Sequence, residues 1–458
     1  MKKKSFKSLM SILLVLMMLT AMLTGCSSKK DESKDTKAES NSTSEEKVNI
    51  TFMGWGSPTE VATFKTLIGK FETKYPNVKV DYISVPVADF NTKLQTMVAS
   101  NKQPDVFYLQ PENVMSWADS GNLYDMSEYV KNNELFDEEN IWKKALDMYR
   151  YDGEIPGQGN IYGLPKDIGP FALAYNKDLF EEAGIPIPDP DVPWTWDEFV
   201  ENAKKLTKGE GNEKQYGSAT YSLESAVWSN GADWLDETKT KVTVDDPKFI
   251  EAMQWVADLT LVQGVTPNNE EEGSLGSFQR WLEGNIGMMG IGPWSQAQFW
   301  EECDFEWDLM PWPASPSTGK NAIWYGGMGY GVSPKSKNIE AACNLAAFLA
   351  FNQEAQTTNY QLGQAIPNLI DMTKDGYLKM TDKAPANKQE FVDIVEGYGR
   401  RATQTYTYNS EWFTEFNTNA KSVWLGEMTA EEYCKSMKDS MQKFLDDGIE
   451  KQKSAKQK

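Results

Sequence analysis

The sequence predicts a two-lobed α/β protein in which each lobe is a mostly parallel sheet flanked by helices. Two observations predict this fold class. Strand-like and helix-like patterns alternate from Val48 onward, which is typical of a doubly wound parallel sheet. About 410 residues follow that start, more than one hydrophobic core usually serves, so two lobes are expected.

The first predicted strand covers residues 48–53, where apolar and polar side chains alternate. Ser57-Pro58-Thr59-Glu60 then predicts a helix start, with Ser57 as the N-cap and Glu60 completing a capping box. Apolar residues at spacings of three and four extend that helix to about Lys74. A second strand over 78–83, a second helix and a third strand over 106–109 follow.

The loops after the first and third strands are candidate ligand-binding segments, because ligands bind at the carboxyl ends of strands in such sheets. Trp55 lies between two glycines at a strand-to-helix turn, so we expect it to face a cleft. Ser57 is a weaker candidate, since its role as a helix cap is a sufficient explanation. Gln110 opens the loop after the third strand and is also a candidate.

The first 25 residues read as an export signal, with four lysines in front of a short apolar stretch over 10–23. That stretch is too short to span a bilayer core. It ends in Leu23-Thr24-Gly25-Cys26, which resembles the lipobox of bacterial lipoproteins. The resemblance implies cleavage before Cys26 and lipidation of its thiol. The alternative is an ordinary secretory signal that happens to contain a cysteine.

Residues 26–47 are predicted to form a disordered tether. The segment is rich in lysine, acidic residues and serine and contains no aromatic side chain. Such a composition buries too little apolar surface to offset the entropy of ordering the chain. We therefore expect a flexible linker between a lipid and a folded domain.

Composition excludes several classes of function. The formal net charge of −21 disfavours binding to nucleic acid or to anionic lipid headgroups. The chain has no histidine, which removes the commonest general base and most transition-metal sites, so we expect neither a metal nor a cofactor. Cys303, Cys343 and Cys434 lack C-x-x-C spacing and allow one disulfide at most; small buried apolar residues are the favoured interpretation.

Several motifs together resemble the carbohydrate-binding lipoproteins of bacterial ABC importers, the family 1 solute-binding proteins that include maltose-binding protein. The similarity covers residues 48–450 in family order, and no single motif is decisive. The motifs are Gln103-Pro104-Asp105-Val106-Phe107, Tyr162-Gly163-Leu164-Pro165, the segments 173–180, 193–199 and 278–294, and Gly329-Tyr330-Gly331-Val332-Ser333.

This resemblance implies two α/β lobes of the periplasmic-binding-protein type, joined by a hinge that the chain crosses three times. The crossings fall near 167–172, 322–327 and 365–368. The implied domains are an amino-terminal lobe of 48–169 plus 327–366, a carboxyl-terminal lobe of 170–326 plus 367–450, and a tail of 451–458. Glycine and proline at Ile168-Gly169-Pro170 and glycine at Gly326-Gly327 support the first two crossings independently.

Sugar recognition would account for the abundance of tryptophan. A pyranose presents C–H groups on its faces and hydroxyls on its edges, which suits flat aromatic rings together with amides and carboxylates. The chain has 16 tryptophans. Four of them have local structural explanations in helices or a hydrophobic staple: Trp194, Trp255, Trp281 and Trp424.

The other candidate ligand contacts lie where loops are predicted, and the family resemblance supports them. Trp294 follows an apolar strand and matches a stacking tryptophan of the family, which makes it the strongest candidate. Asp167 at the first crossing is either an acceptor for two hydroxyls or a structural cap. The remaining candidates are Trp228 and Asn230 in a glycine-containing turn, Trp324 and Gly326 at the second crossing, and the late aromatic Trp412.

The resemblance implies a monomeric, non-enzymatic receptor that binds a sugar or oligosaccharide in the cleft between its lobes. It would deliver this ligand to an ABC permease while held outside the cell membrane by a lipid on Cys26. The alternative is a lipid-anchored glycoside hydrolase with two catalytic carboxylates. With 67 acidic residues, carboxylate spacing cannot separate the two, but a barrel would need eight βα units.

Overall fold

The computed structural model of the protein describes residues 47–211 and 214–457. The predictions for the signal segment, for Cys26 and for nearly all of the tether fall on residues 1–46 and lie outside the described residues.

The described residues contain 13 strands, which are short apart from the first two. In chain order they are β1 Val48–Gly54, β2 Val78–Ser84, β3 Val106–Leu109, β4 Arg150–Tyr151, β5 Asn160–Ile161, β6 Leu164–Pro165, β7 Gly169–Pro170, β8 Ala172–Asn176, β9 Met288–Ile291, β10 Trp307–Met310, β11 Ile323–Gly326, β12 Gly329–Val332 and β13 Gly399–Arg401.

The α-helices of the described residues number 19. In chain order they are α1 Pro58–Lys74, α2 Val87–Ala99, α3 Val114–Asp119, α4 Ser127–Lys131, α5 Lys143–Asp147, α6 Lys177–Glu182, α7 Trp196–Leu206, α8 Leu223–Ser229, α9 Pro247–Leu261, α10 Asn269–Ser274, α11 Ser277–Leu282, α12 Gln296–Glu302, α13 Ile339–Phe351, α14 Gln353–Gln361, α15 Ile370–Asp375, α16 Gln389–Asp393, α17 Glu411–Asn419, α18 Lys421–Trp424 and α19 Ala430–Ala455.

The first sheet has the strand order β2-β1-β3-β12-β6. Its strand β1 pairs in parallel with β2 and β3, while β12 runs antiparallel to β3 and β6. The predicted first three strands and first two helices are confirmed, including the capping box of α1. Phe52 is fully buried at the centre of this sheet, with ring centroids of Tyr82, Tyr108 and Tyr330 at 5.1, 5.7 and 5.8 Å.

The second sheet, β10-β8-β9, is antiparallel throughout, so the prediction of a mostly parallel sheet is wrong for this part of the fold. The reason is topological. Strand β8 carries the chain away from the hinge, whereas β9 and β10 return toward it, and Ile291 and Met310 at their ends pair with Ala172 and Leu173 at the start of β8. The two-lobed α/β class itself is confirmed by the solved structures reported below.

A third small sheet, β13-β11-β7, joins the predicted first and second crossings, because Gly326 pairs with Gly169. The third crossing contacts the first through Asn368, which is fully buried. Its Nδ2 donates to the carbonyls of Pro165 at 2.7 Å and Lys166 at 3.2 Å. The three predicted crossings therefore form one connected hinge region.

Helix α19 continues to Ala455, into the predicted tail of residues 451–458. Gln452 Nε2 donates to Tyr151 Oη at 3.1 Å and to the Glu154 carbonyl at 3.0 Å. These contacts hold the last turns of the helix against the body, so residues 451–455 belong to the folded part.

Cys343 and Cys434 are buried and Cys303 is half-buried, and all three are free thiols. Within 47–211 and 214–457, no helix is both long and apolar enough to cross a membrane.

Candidate functional site

A cavity of about 610 Å³ lies where loops of the first sheet meet the hinge and the turn after β9; we call it the central cavity. Residues of the first-sheet loops, the hinge and the turn after β9 all line it. The lining residues are Trp55, Gly56, Ser57, Glu60, Val87, Lys166, Asp167, Trp294, Trp324, Gly327 and Met328.

Two tryptophans form a flat aromatic wall of the central cavity. Trp324 stacks on Phe171 with ring centroids 4.6 Å apart and planes 15° apart, and Trp294 continues the stack at 6.4 Å and 19°. Two glycines make room for the Trp294 ring. A Cβ added at Gly292 would lie 2.1 Å from that ring, and one at Gly169 would lie 2.8 Å from it.

Trp55 faces the same cavity from the loop after β1. It is half-buried, and its ring makes edge-on contacts with Phe90 at 4.5 Å and with Tyr108 at 5.1 Å between centroids. These contacts fix its orientation before any ligand binds. Trp55 thus lines the central cavity from the amino-terminal side of the chain.

Glu60 connects the helix cap to the cavity wall. Its Oε2 accepts from the Ser57 backbone N–H at 2.9 Å, while the Ser57 hydroxyl accepts from the Glu60 N–H at 3.3 Å. Its Oε1 accepts from Gln364 Nε2 at 2.7 Å, next to the third crossing. Ser57 is thus both a helix cap and a lining residue.

Asp167 forms a buried ion pair with Lys166, and each side chain is only 6% exposed. Lys166 Nζ lies 2.5 Å from Asp167 Oδ2, and Asp167 Oδ1 accepts from the Met328 N–H at 3.0 Å. Asp167 therefore joins the first and second crossings and also lines the cavity. Both of its oxygens keep lone pairs that are not used by these bonds.

A second cavity of about 250 Å³ also borders Trp324, and we call it the hinge cavity. Trp324, Gly327 and Met328 border both cavities. Gly326, a predicted contact, lines this second cavity.

The sequence analysis did not predict three charged residues that line the hinge cavity: Glu112, Glu224 and Arg401. Burial raises the pKa of both carboxyl groups above the ordinary glutamate value. Arg401 is held by Thr405, since its Nε donates to Thr405 Oγ1 at 2.7 Å. With so many acidic residues in the chain, composition offered no signal; only the loop position of Glu112 after β3 could have suggested it.

The predicted cleft positions of Trp228 and Asn230 are wrong in this structure. Trp228 is 5% exposed, its Nε1 donates to Asp233 Oδ1 at 3.2 Å, and the Arg400 guanidinium covers its ring at 4.7 Å. Asn230 is fully buried and its Nδ2 donates to the Lys248 carbonyl at 2.8 Å. The glycine-containing turn is used to pack the lobe and does not line the cavity.

Trp412 is also part of the core, which contradicts its predicted position in the cleft. It is 0% exposed, and its Nε1 donates to Thr407 Oγ1 at 3.0 Å. Gln110 is half-buried, accepts from Asn113 Nδ2 at 3.4 Å, and borders neither cavity.

The described residues hold no group of three or more metal-ligating side chains. The two cavities lie between the lobes and combine flat aromatic rings with carboxylates that accept hydrogen bonds. This combination is typical of ligand-binding proteins with a hinged cleft.

The chain belongs to the family of bacterial extracellular solute-binding proteins, whose model matches residues 55–356. Among solved structures it is similar to an ABC substrate-binding protein from Listeria monocytogenes in complex with cycloalternan. The TM-score is 0.77 at 25% identity, over 87% of this chain and 99% of that one.

Curated relatives include an uncharacterized lipoprotein of Streptomyces antibioticus, 28% identical over 311 residues, which are 64% of this chain. An arabinooligosaccharide-binding protein of Halalkalibacterium halodurans is 27% identical over 222 residues, or 46% of this chain. The matched regions span 62% and 46% of the length of these two curated relatives.

Proposed function

We propose that this protein is a non-enzymatic extracellular receptor that binds a sugar or oligosaccharide in the central and hinge cavities and delivers it to an ABC permease. The observation that carries the proposal is the aromatic wall of Trp294 and Trp324 beside the carboxylates of Glu60 and Asp167. The names of the oligosaccharide-binding relative and of the cycloalternan complex support it.

The chemistry of this wall suits a pyranose. A flat ring covers the C–H face of the sugar, and carboxylate oxygens accept hydrogen bonds from its hydroxyls. Ser57, Gln364, Lys166 and Met328 already hold the two carboxylates in place, so binding loses little side-chain entropy. We propose Trp55, Ser57, Asp167, Trp294, Trp324 and Gly326 as ligand contacts.

Binding would stabilise a closed arrangement of the lobes, because the ligand contacts both lobes at once only in that form. Such a closed form is what a permease would recognise. The lobe boundaries inferred from the sequence remain a proposal, supported by the fact that the strands of the first sheet fall in 48–169 and 327–366 and those of the second in 170–326.

Titration of the purified protein with mono- and oligosaccharides, followed by tryptophan fluorescence and calorimetry, tests the proposal. We expect saturable binding with no new reducing ends after prolonged incubation. Hydrolysis of a bound glycan would favour the glycoside hydrolase instead. Absence of binding to every glycan would overturn the receptor assignment.

We further propose that the receptor is a monomer held at the membrane by a lipid on Cys26. The lipobox-like sequence and the lipoprotein relative support this proposal. Replacing Cys26 by serine should release the protein into the medium with unchanged sugar affinity. Continued membrane association of the Cys26→Ser variant in cell fractionation would contradict lipid anchoring.

A further inference from the structure

We infer that the sugar-binding surface continues from the hinge cavity into a third recess, so that the receptor selects oligosaccharides long enough to fill it. This inference rests on the proposed function. The recess, which we call the side groove, has a volume of about 360 Å³ and lies within the region of α8, α9, α17 and α18.

The three recesses follow one another through shared walls. Trp324, Gly327 and Met328 border both the central and the hinge cavity, and Glu224 borders both the hinge cavity and the side groove. Glu224 is positioned at the start of α8, where its Oε2 accepts from the Ser222 hydroxyl at 3.0 Å. A linear ligand that extends from the aromatic wall past Trp324 would therefore reach the side groove next to Glu224.

The lining of the side groove has the chemistry of a carbohydrate subsite. Trp424 is half-buried, and the exposed amides of Asn269 and Asn417 form no side-chain hydrogen bond to any other described residue. The Thr220 hydroxyl adds a further polar group, while the Thr260 hydroxyl is paired with Thr266 Oγ1 at 2.5 Å. An aromatic ring combined with free amides and a hydroxyl matches a pyranose or furanose unit.

The charge of the side groove narrows the ligand class. Glu224 is the only charged side chain among the described residues that line it. These residues therefore include no cation that could pair with a uronate or a sulfate. The structure therefore favours a neutral oligosaccharide over an acidic one.

Calorimetry with neutral malto-, xylo-, arabino- and manno-oligosaccharides, from the disaccharide to the hexasaccharide, tests the inference. For the series that binds, wild-type affinity should rise with length and then level off, with one ligand per protein. Trp424→Ala and Asn417→Ala should each weaken binding of the longest members about tenfold and leave the disaccharide unchanged.

Two neighbouring exposed residues that do not line the groove provide matched controls, Leu425→Ala for Trp424→Ala and Asn419→Ala for Asn417→Ala. Unchanged disaccharide binding also shows that each variant is folded. Equal affinity of wild type and both groove variants for every length would overturn the inference while the receptor function stands. A second, independent binding event would overturn the continuity of the groove, and failure to bind any sugar would count against the proposed function itself.

Discussion

Two glycines, Gly169 and Gly292, leave room for the ring of Trp294. The ring occupies space that a Cβ at Gly169 or Gly292 would fill, and its neighbour in the stack is Trp324. A rigid aromatic wall of this kind loses little entropy on binding.

Trp294→Ala should weaken sugar binding by about 1–3 kcal/mol, because the variant loses a desolvated stacking surface. Calorimetry measures the affinity, and a thermal melt checks the fold. Trp294→Phe should recover part of the loss because it restores a flat ring. Wild-type affinity of the alanine variant would remove Trp294 from the site.

Glu390 is a buried carboxyl group outside the cavities, with 1% of its surface exposed. Burial raises its pKa to about 7, although the hydrogen bond donated by the Tyr398 hydroxyl acts in the opposite direction. The folded state thus favours the protonated acid. The stabilisation is complete below the ordinary glutamate pKa and is lost as the pH rises through about 7.

Glu390→Gln keeps the shape of the side chain but cannot ionise. Between pH 5 and pH 8, wild type should therefore lose up to about 3 kcal/mol of unfolding free energy relative to this variant. Urea denaturation of both proteins at the two pH values measures the difference. Parallel pH profiles for the two proteins would contradict a raised pKa of Glu390.

At the scale of elements, four described helices begin with a capping box: α1, α7, α10 and α19. A capping box links Ser57 to Glu60 in α1 and Thr195 to Glu198 in α7. Only the first of these boxes lines the central cavity. The capping box of α7 stabilises its helix, and the box of α1 also forms part of the wall of the central cavity.

Ser57→Ala and Thr195→Ala should each lower the unfolding free energy by about 1 kcal/mol, the usual cost of losing a cap. Only Ser57→Ala should also weaken sugar binding, because the cap positions Glu60. Chemical denaturation and calorimetry on both variants separate the two effects. Equal sugar affinities would show that the cap of α1 has no part in binding.

At the scale of the whole molecule, closely packed backbone at the hinge connects the two lobes. A Cβ at Gly327 would lie 2.5 Å from the Asp167 carbonyl oxygen, so the first and second crossings can approach only if residue 327 is glycine. The Met328 N–H donates to Asp167 from the adjacent position. Because Asp167, Gly327 and Met328 also line the central cavity, a shift of this backbone would change both the hinge and the cavity wall.

Gly327→Ala should therefore reduce both sugar affinity and ligand-induced closure. Small-angle scattering with and without sugar should show compaction of wild type and little change in the variant. Gly397→Ala is the matched control, since a Cβ at Gly397 meets open space. Normal closure of the Gly327→Ala variant would contradict the role of this contact.

Local sequence determined the first three strands, the first two helices and the capping box of α1, because caps and apolar periodicity depend on residues three or four positions apart. It also predicted that Trp55, Trp294 and Trp324 would lie in loops or at the hinge, and all three line the central cavity. It could not predict which acidic residues would line the hinge cavity, since 67 were available.

Tertiary packing decided the direction of each tryptophan ring and the course of the second sheet. The sequence predicted loop positions for Trp228, Trp412 and Trp294 alike. Trp228 and Trp412 instead lie within α8 and α17, where Arg400 covers the first and the core surrounds the second. Strand direction in β8, β9 and β10 follows from where the chain leaves and re-enters the hinge. Both outcomes depend on contacts between residues far apart in the chain, which short-range patterns do not encode.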